Sequence, residues 1–137
     1  MGTVHAEITL KNVIDGADCK RGIIKEQDVR SATVTAVVDT GAMSLVITEE
    51  LRQKLGLAVT GEKIARTASG QRVSCDLTEA VEVRWKNRVS ILSALVIPGA
   101  ETILLGAIPL EDMDLIVNPV TQELAGAHGD IVEFLAL

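Results

Sequence analysis

Residues 31–42 have the sequence Ser-Ala-Thr-Val-Thr-Ala-Val-Val-Asp-Thr-Gly-Ala. The first eight residues are rich in β-branched side chains and predict a strand. The strand leads directly into Asp39, so we expect its carboxylate to leave the sheet in a loop. Thr40 adds a hydroxyl, and Gly41 lets a second backbone approach closely. An Asp-Thr-Gly triplet is weak on its own, because an Asp that caps its own turn is a common alternative.

The segments around this stretch predict a mainly β chain that forms a closed barrel with one or two short helices. The predicted strands are residues 4–10, 31–38, 62–67, 71–77, 81–85, 89–97, 102–105, 115–118, 123–125 and 131–137. One helix is predicted over residues 48–55, with Thr48 as N-cap and Gly56 at the stop. Pro109 can start a second, short helix that extends to Asp114. Residues 15–30 are predicted to be a turn followed by an exposed polar excursion.

Length and composition restrict the class of protein. A chain of 137 residues predicts one domain, residues 1–137, and its 47% hydrophobic content suffices for an aliphatic core. The net charge of −6 and the near absence of aromatic residues argue against nucleic acid as a partner. No apolar run reaches the roughly 20 residues that span a bilayer, and the N-terminus does not have a signal-peptide pattern. We therefore expect a soluble cytoplasmic protein without a membrane partner.

Cysteine and histidine give no sign of a metal or cofactor site. Cys19 and Cys75 could pair, although two reduced thiols are the simpler interpretation. His5 and His128 have no neighbours at zinc-ligand spacing and are predicted to be lone surface or loop residues. Ser44 lacks the flanking glycines of a nucleophile elbow, which excludes that route to a serine hydrolase. The sequence therefore predicts neither metal nor cofactor.

A hairpin and a second short motif follow the Asp-Thr-Gly loop along the chain. Two strands flank Ala68-Ser69-Gly70 as a hairpin, and Leu104-Leu105-Gly106 then precedes the second helix. In this order of elements, over most of its length, the chain resembles the retroviral-type aspartic peptidases, including their bacterial single-domain branch. The resemblance implies a retropepsin-like β-barrel, with the hairpin as a flap that closes over bound peptide.

The resemblance also implies a role for individual residues. Asp39 would be the catalytic carboxylate, Thr40 would brace the site across a dimer, and Gly41 would hydrogen-bond the substrate backbone. The residues implied in substrate binding and support of the active site are Thr40, Gly41, Ala42, Ala68, Ser69 and Gly70. One chain carries one such motif, so the resemblance implies a homodimer that acts on a peptide or protein substrate.

Physical chemistry favours the same arrangement of two facing carboxylates. Two carboxylates within hydrogen-bonding distance share one proton, and the aspartic-protease dyad is the standard example of this effect. The sequence departs from retroviral enzymes at Ala107, where they usually have an arginine that helps to hold the dimer together. The remaining alternative is a retropepsin-fold dimerisation or peptide-binding module that cleaves nothing.

Overall fold

The computed structural model describes residues 3–133, which contain nine strands and three α-helices. In chain order these are β1 Val4–Asn12, α1 Val13–Lys20, β2 Ser31–Val38, β3 Leu45–Ile47, α2 Glu49–Lys54, β4 Val59–Arg66, β5 Arg72–Trp85, β6 Arg88–Val96, β7 Leu104–Leu105, α3 Ala107–Asp112, β8 Leu115–Asn118 and β9 Glu123–Gly126. A 3₁₀ turn, Glu26–Asp28, lies between α1 and β2. The predicted mainly β architecture is confirmed, with three α-helices instead of one or two.

The hydrogen-bonded strands follow one another around a ring. The order is β1, β2, β7, β3, β6 and β5, and β5 pairs again with β1 through residues 81–84. β4 pairs with β5 outside this ring and forms one arm of a long hairpin. The short β7 lies parallel to β2 and antiparallel to β3, so it connects the two halves of the ring. β8 and β9 form a separate two-stranded sheet.

The alternating side chains of β1 show how the core forms. Ala6, Ile8 and Leu10 are buried, while Glu7 is exposed and Thr9 is half-buried between them. This period of two is the one that the strand geometry requires, and the buried set faces the inside of the ring. Among the described residues the largest fully buried apolar side chains are all non-aromatic: Ile8, Leu10, Leu45, Ile47, Leu55, Leu57, Val81, Val83, Leu105 and Met113. The core is therefore aliphatic, as the composition predicted.

The turn predicted at the start of the segment between the first two strands was wrong, whereas residues 21–30 are mostly exposed as predicted. Asp15 and Gly16 lie in helix α1 and not in a turn. The side chain of Asn12 caps this helix by accepting a hydrogen bond from the Asp15 amide at 3.0 Å. The Asp15 carboxylate is buried and accepts hydrogen bonds from the Arg30 guanidinium at 2.8 and 3.0 Å. This long-range ion pair overrides the local turn preference of Asp-Gly.

Two other predictions changed in extent. The predicted strands 71–77 and 81–85 are one continuous strand, β5, with a register shift between Leu77 and Ala80 that lets it bend. Helix α3 begins at Ala107, two residues before Pro109. Residues 131–133, the start of the predicted C-terminal strand, have no strand structure, and residues 134–137 lie outside the described part of the chain.

Helix α2 confirms its sequence signals. The Thr48 hydroxyl accepts a hydrogen bond from the Leu51 amide at 3.1 Å, and Gly56 has a left-handed φ of 64° beyond the C-terminus. Neither Cys19 nor Cys75 forms a disulfide. Between residues 3 and 133, no group of three or more His, Cys, Asp or Glu side chains is arranged so that it could hold a metal ion. No helix in that range is long and apolar enough to cross a membrane.

Candidate active site

Asp39 lies at the point where β2 leaves the sheet. Its amide donates to the carbonyl of Leu105 at 3.0 Å, which extends the parallel pairing of β2 with β7 by one residue. Its carboxylate Oδ1 accepts a hydrogen bond from the Gly41 amide at 2.9 Å, and its carbonyl accepts from the Ala42 amide at 3.1 Å. The side chain is half-buried, and Oδ2 accepts no hydrogen bond from the described residues. The turn thus fixes one carboxylate oxygen and leaves the other available.

The chain after β7 holds the Asp39 loop from the other side. The amides of Gly106, Ala107 and Ile108 donate to three successive carbonyls of the loop, those of Ser44, Ala42 and Met43, at 3.0, 2.8 and 2.8 Å. A Cβ on Gly106 would lie 2.4 Å from the Ser44 oxygen and 2.6 Å from the Ala42 oxygen. Only glycine permits this approach, so the apolar-apolar-Gly motif is a backbone clamp on the loop.

The outer face of the Asp39 loop is open. Thr40 and Gly41 are exposed, and the Thr40 hydroxyl forms no hydrogen bond within residues 3–133. Met43 is 73% exposed, and Ile108, which is hydrogen-bonded to it through the backbone, is 47% exposed. The Thr40 hydroxyl and the apolar side chains of Met43 and Ile108 therefore remain uncovered in the single chain.

The hairpin predicted around residues 68–70 is present as β4–β5. Arg66 pairs with Arg72, and the tip contains Ala68, Ser69 and Gly70, all exposed. The Gly70 amide donates to the Thr67 carbonyl at 2.9 Å, and Gly70 has a φ of 84°. Within the described residues, no hydrogen bond connects this tip to the Asp39 loop. The structure therefore brings Asp39 to Ala42 together with residues 105–108 through backbone hydrogen bonds, and no such bond joins the tip to them within the described residues.

Comparison with known proteins assigns this arrangement to a family. Residues 26–108 match the sequence profile of the aspartyl protease family, which is more than half of the chain. The chain belongs to the aspartyl protease family. A solved structure of EIAV protease complexed with the inhibitor HBY-793 is similar, with a TM-score of 0.56 and 17% sequence identity. The similarity covers 81% of this chain and 88% of that one, and it confirms the retropepsin-like fold. A search of curated protein sequences gives no significant match.

One concavity of this aspartyl protease lies near the base of the β4–β5 hairpin. It has a volume of about 700 Å³ and lies between the start of α2, the residue Asp76 of β5 and the loop that joins β6 to β7. Its polar lining is acidic, with Glu49, Glu50, Asp76 and Glu101. None of the residues of the Asp39 loop lines this cavity.

A second polar cluster of the aspartyl protease was missed by the sequence analysis. His128 is not a lone residue, because its Nδ1 lies 2.7 Å from Asp114 Oδ2 and its Nε2 lies 3.3 Å from Glu133 Oε2. The hydrogen bond to Asp114 raises the pKa of His128 above its usual value, and the same bond lowers the pKa of Asp114. The three residues are separated by 5 to 19 positions in the chain, and no local pattern connects them.

Proposed function

We propose that this chain is one subunit of a homodimeric aspartic endopeptidase, with Asp39 of each subunit as the catalytic carboxylates. The observation that carries the proposal is the Asp39 loop itself. A carboxylate is fixed through Oδ1 by the Gly41 amide, clamped by the backbone of residues 106–108, and left open at Oδ2. The membership of the aspartyl protease family supports this use of the loop.

A second subunit is needed because the chemistry requires two carboxylates at one carbonyl. The sequence has a single Asp-Thr-Gly triplet. A two-fold axis between two Asp39 loops would place each carboxylate opposite its twin, in the arrangement most common for dimers. The exposed side chains of Met43 and Ile108 beside the loop would be covered in such a dimer, and the free Thr40 hydroxyl would gain a partner.

The C-terminal residues are the other proposed element of the dimer. Residues 131–137 are mostly apolar, and we propose that they pair with the partner subunit. This pairing would replace the contacts of the arginine that retroviral enzymes usually have where this chain has Ala107.

The proposed reaction uses one shared proton. The ionised Asp39 of one subunit removes a proton from a water molecule, whose oxygen attacks the scissile carbonyl carbon. The protonated Asp39 of the partner subunit donates its proton to the carbonyl oxygen, which gives a neutral tetrahedral intermediate. The Asp39 that took the proton from water then donates it to the amide nitrogen, while the other Asp39 takes a proton from one hydroxyl of the intermediate. The C–N bond breaks to give a carboxylic acid and an amine, and the dyad again carries one proton. The substrate would lie as an added strand under residues 68–70 of the flap.

The test is peptide-library digestion by the purified wild-type protein and by Asp39→Asn. We expect Asp39→Asn to lose cleavage while its melting temperature stays the same or rises slightly, because an amide relieves the repulsion between two facing carboxylates. Asp112→Asn is the matched control, since Asp112 is exposed at the end of α3, and it should cleave at the wild-type rate. Equal cleavage by wild type and Asp39→Asn would refute the proposal.

The same proteins separate the peptidase from a binding module. A pepstatin-like transition-state mimic should raise the melting temperature of the wild-type protein, because such mimics bind far more tightly than substrates at a catalytic site. A wild-type protein that binds peptides but neither cleaves them nor responds to the mimic would favour the non-proteolytic alternative.

A further inference from the structure

The Asp114–His128–Glu133 cluster lies where the chain returns after β9. Asp114 follows helix α3 and is buried, with a side-chain exposure of 10%. His128 follows β9 and is about half exposed, and Glu133 is exposed. Asp114 Oδ2 accepts two hydrogen bonds, one from His128 Nδ1 at 2.7 Å and one from the Glu133 amide at 3.0 Å. One carboxylate oxygen therefore ties two points of the returning chain to the corner between α3 and β8.

Both ring nitrogens of His128 face carboxylate oxygens, an arrangement that favours a proton on each nitrogen. Nδ1 faces a carboxylate oxygen of Asp114 and Nε2 faces a carboxylate oxygen of Glu133, and ionised carboxylates can only accept hydrogen bonds. A neutral imidazole has one N–H, so it can serve only one of them. In the neutral ring the proton stays on Nδ1, which makes the shorter contact, to the buried Asp114. The lone pair on Nε2 then faces the charge of Glu133.

The other charged group at this site reinforces the arrangement. Arg88, at the start of β6, is 3% exposed, and its guanidinium donates to the carbonyls of Met113, Asp114 and Gly129. It fixes the backbone on both sides of the cluster without contacting the carboxylates. Arg88 opposes the positive charge on His128, whereas Asp114 and Glu133 favour it. The carboxylates of Asp114 and Glu133 thus favour the protonated ring of His128, and the guanidinium of Arg88 favours the neutral ring.

We propose that Asp114, His128 and Glu133 form a proton-operated clasp that holds residues 129–133 against the α3–β8 corner when His128 is protonated and releases the Glu133 side chain when His128 is neutral. Residues 131–133 of the clasp also belong to the segment 131–137 that we propose at the dimer interface, but the clasp is argued from contacts within one chain and does not depend on the proposed peptidase activity.

The direction of the pH effect follows from the two titrating partners. The pKa of His128 is raised in the folded chain, so its contribution to stability is complete below the unfolded value of about 6.5 and is lost as the pH rises through the folded value. The pKa of Asp114 is lowered, so its contribution is present above about 4 and is lost as the pH falls through its folded value. The clasp is therefore closed from mildly acidic to near-neutral pH and opens towards alkaline pH.

The clasp can be tested by NMR titration of the labelled full-length protein. The only other histidine is His5, so His5→Gln assigns the ring signals. We expect the His128 ring to titrate with a midpoint above about 6.5, the unperturbed value for histidine. The Glu133 amide signal should follow the same midpoint. Its hydrogen exchange, corrected for the intrinsic pH dependence, should become several-fold faster above that midpoint.

Two substitutions separate the clasp from a merely structural contact. Glu133→Gln should lower the His128 midpoint because one of the two stabilising charges is removed, and Asp114→Asn should lower it further. Glu123→Gln is the matched control, since Glu123 is exposed on β9, and it should leave the midpoint unchanged. A wild-type midpoint at or below 6.5, a midpoint that Glu133→Gln does not change, or a Glu133 amide that is indifferent to the titration would each overturn the clasp. Activity enters none of these measurements, so a failed peptidase assay would leave the result intact.

Discussion

At the scale of single residues, the Asp39 loop depends on two glycines for different reasons. The Gly41 amide donates to the Asp39 carboxylate, and a Cβ at Gly41 would lie 3.2 Å from Oδ1, a close but tolerable distance. Gly106 makes no contact with the carboxylate, but its missing side chain lets residues 106–108 reach the carbonyls of the loop. The position of Asp39 is therefore fixed partly by a residue 67 positions away in the chain.

Gly106→Ala is expected to destabilise the protein by about 1–3 kcal/mol, the usual cost of forcing an extra methyl group into a closely packed site. The backbone φ of Gly106 is −91°, which alanine adopts without strain, so the cost comes from the contact with the Ser44 and Ala42 carbonyls. Urea denaturation measures this loss in the free energy of unfolding. Gly61→Ala is the control: a Cβ there meets nothing within 4 Å, and a change within about 0.5 kcal/mol is expected. Equal values for the two variants would contradict the clamp.

At the scale of elements, the β4–β5 hairpin differs from the other strands. β4 pairs with β5 alone, and most of its residues are exposed, whereas the strands of the ring bury alternate side chains. An element with one hydrogen-bonded neighbour and few buried side chains has low local stability. This is the property that a flap needs if it opens to admit a peptide and closes over it.

Gly70→Val is expected to reduce kcat/KM by about tenfold, since a left-handed residue with a Cβ costs about 1–2 kcal/mol and the tip must adopt this turn over bound peptide. Gly22→Val is a close control. Gly22 has a φ of 76° against 84° for Gly70, and a Cβ at either position meets nothing within 4 Å. Both variants should lose similar stability in thermal unfolding, but only Gly70→Val should lose turnover. Wild-type kinetics for Gly70→Val would show that the hairpin is not a lid.

At the scale of the whole molecule, the single chain is an incomplete version of the proposed enzyme. The ring of strands is a self-contained core, whereas the Asp39 loop opens to solvent with Thr40, Met43 and Ile108 uncovered. A fold that buries its core and leaves the Asp39 loop exposed is consistent with assembly through that loop. The proposed dimer follows from this contrast and from the need for two carboxylates.

Specific activity is expected to fall when the protein is diluted below the dissociation constant of the dimer, because a monomer has half a dyad. Mixing one part wild type with three parts Asp39→Asn should leave about a quarter of the activity per wild-type subunit, since about three of every four wild-type subunits pair with a mutant subunit when assortment is random. The same mixture with Asp112→Asn should show no loss. Full activity from a monodisperse monomer in sedimentation would contradict the shared site.

The sequence by itself determined the parts of this protein whose signals are local. The bounds of β2, the N-cap of α2 at Thr48 and the placement of Asp39 at a strand end follow from side-chain type, capping chemistry and a period of two over a few residues. The flap hairpin around Gly70 follows from a turn between two strand-like segments. In each case the residues that decide the structure are neighbours in the chain.

Only the tertiary structure decided the parts that depend on distant partners. Asp15 and Gly16 became helical because Arg30 holds the Asp15 carboxylate, and the two predicted halves of β5 became one strand because β6 pairs along most of it. The proposed clasp joins the chain after β9 to the α3–β8 corner through a buried carboxylate, and the clamp at Gly106 joins two loops through their backbones. Such contacts depend on which segments the ring of strands brings together, and this information is absent from any short stretch of sequence.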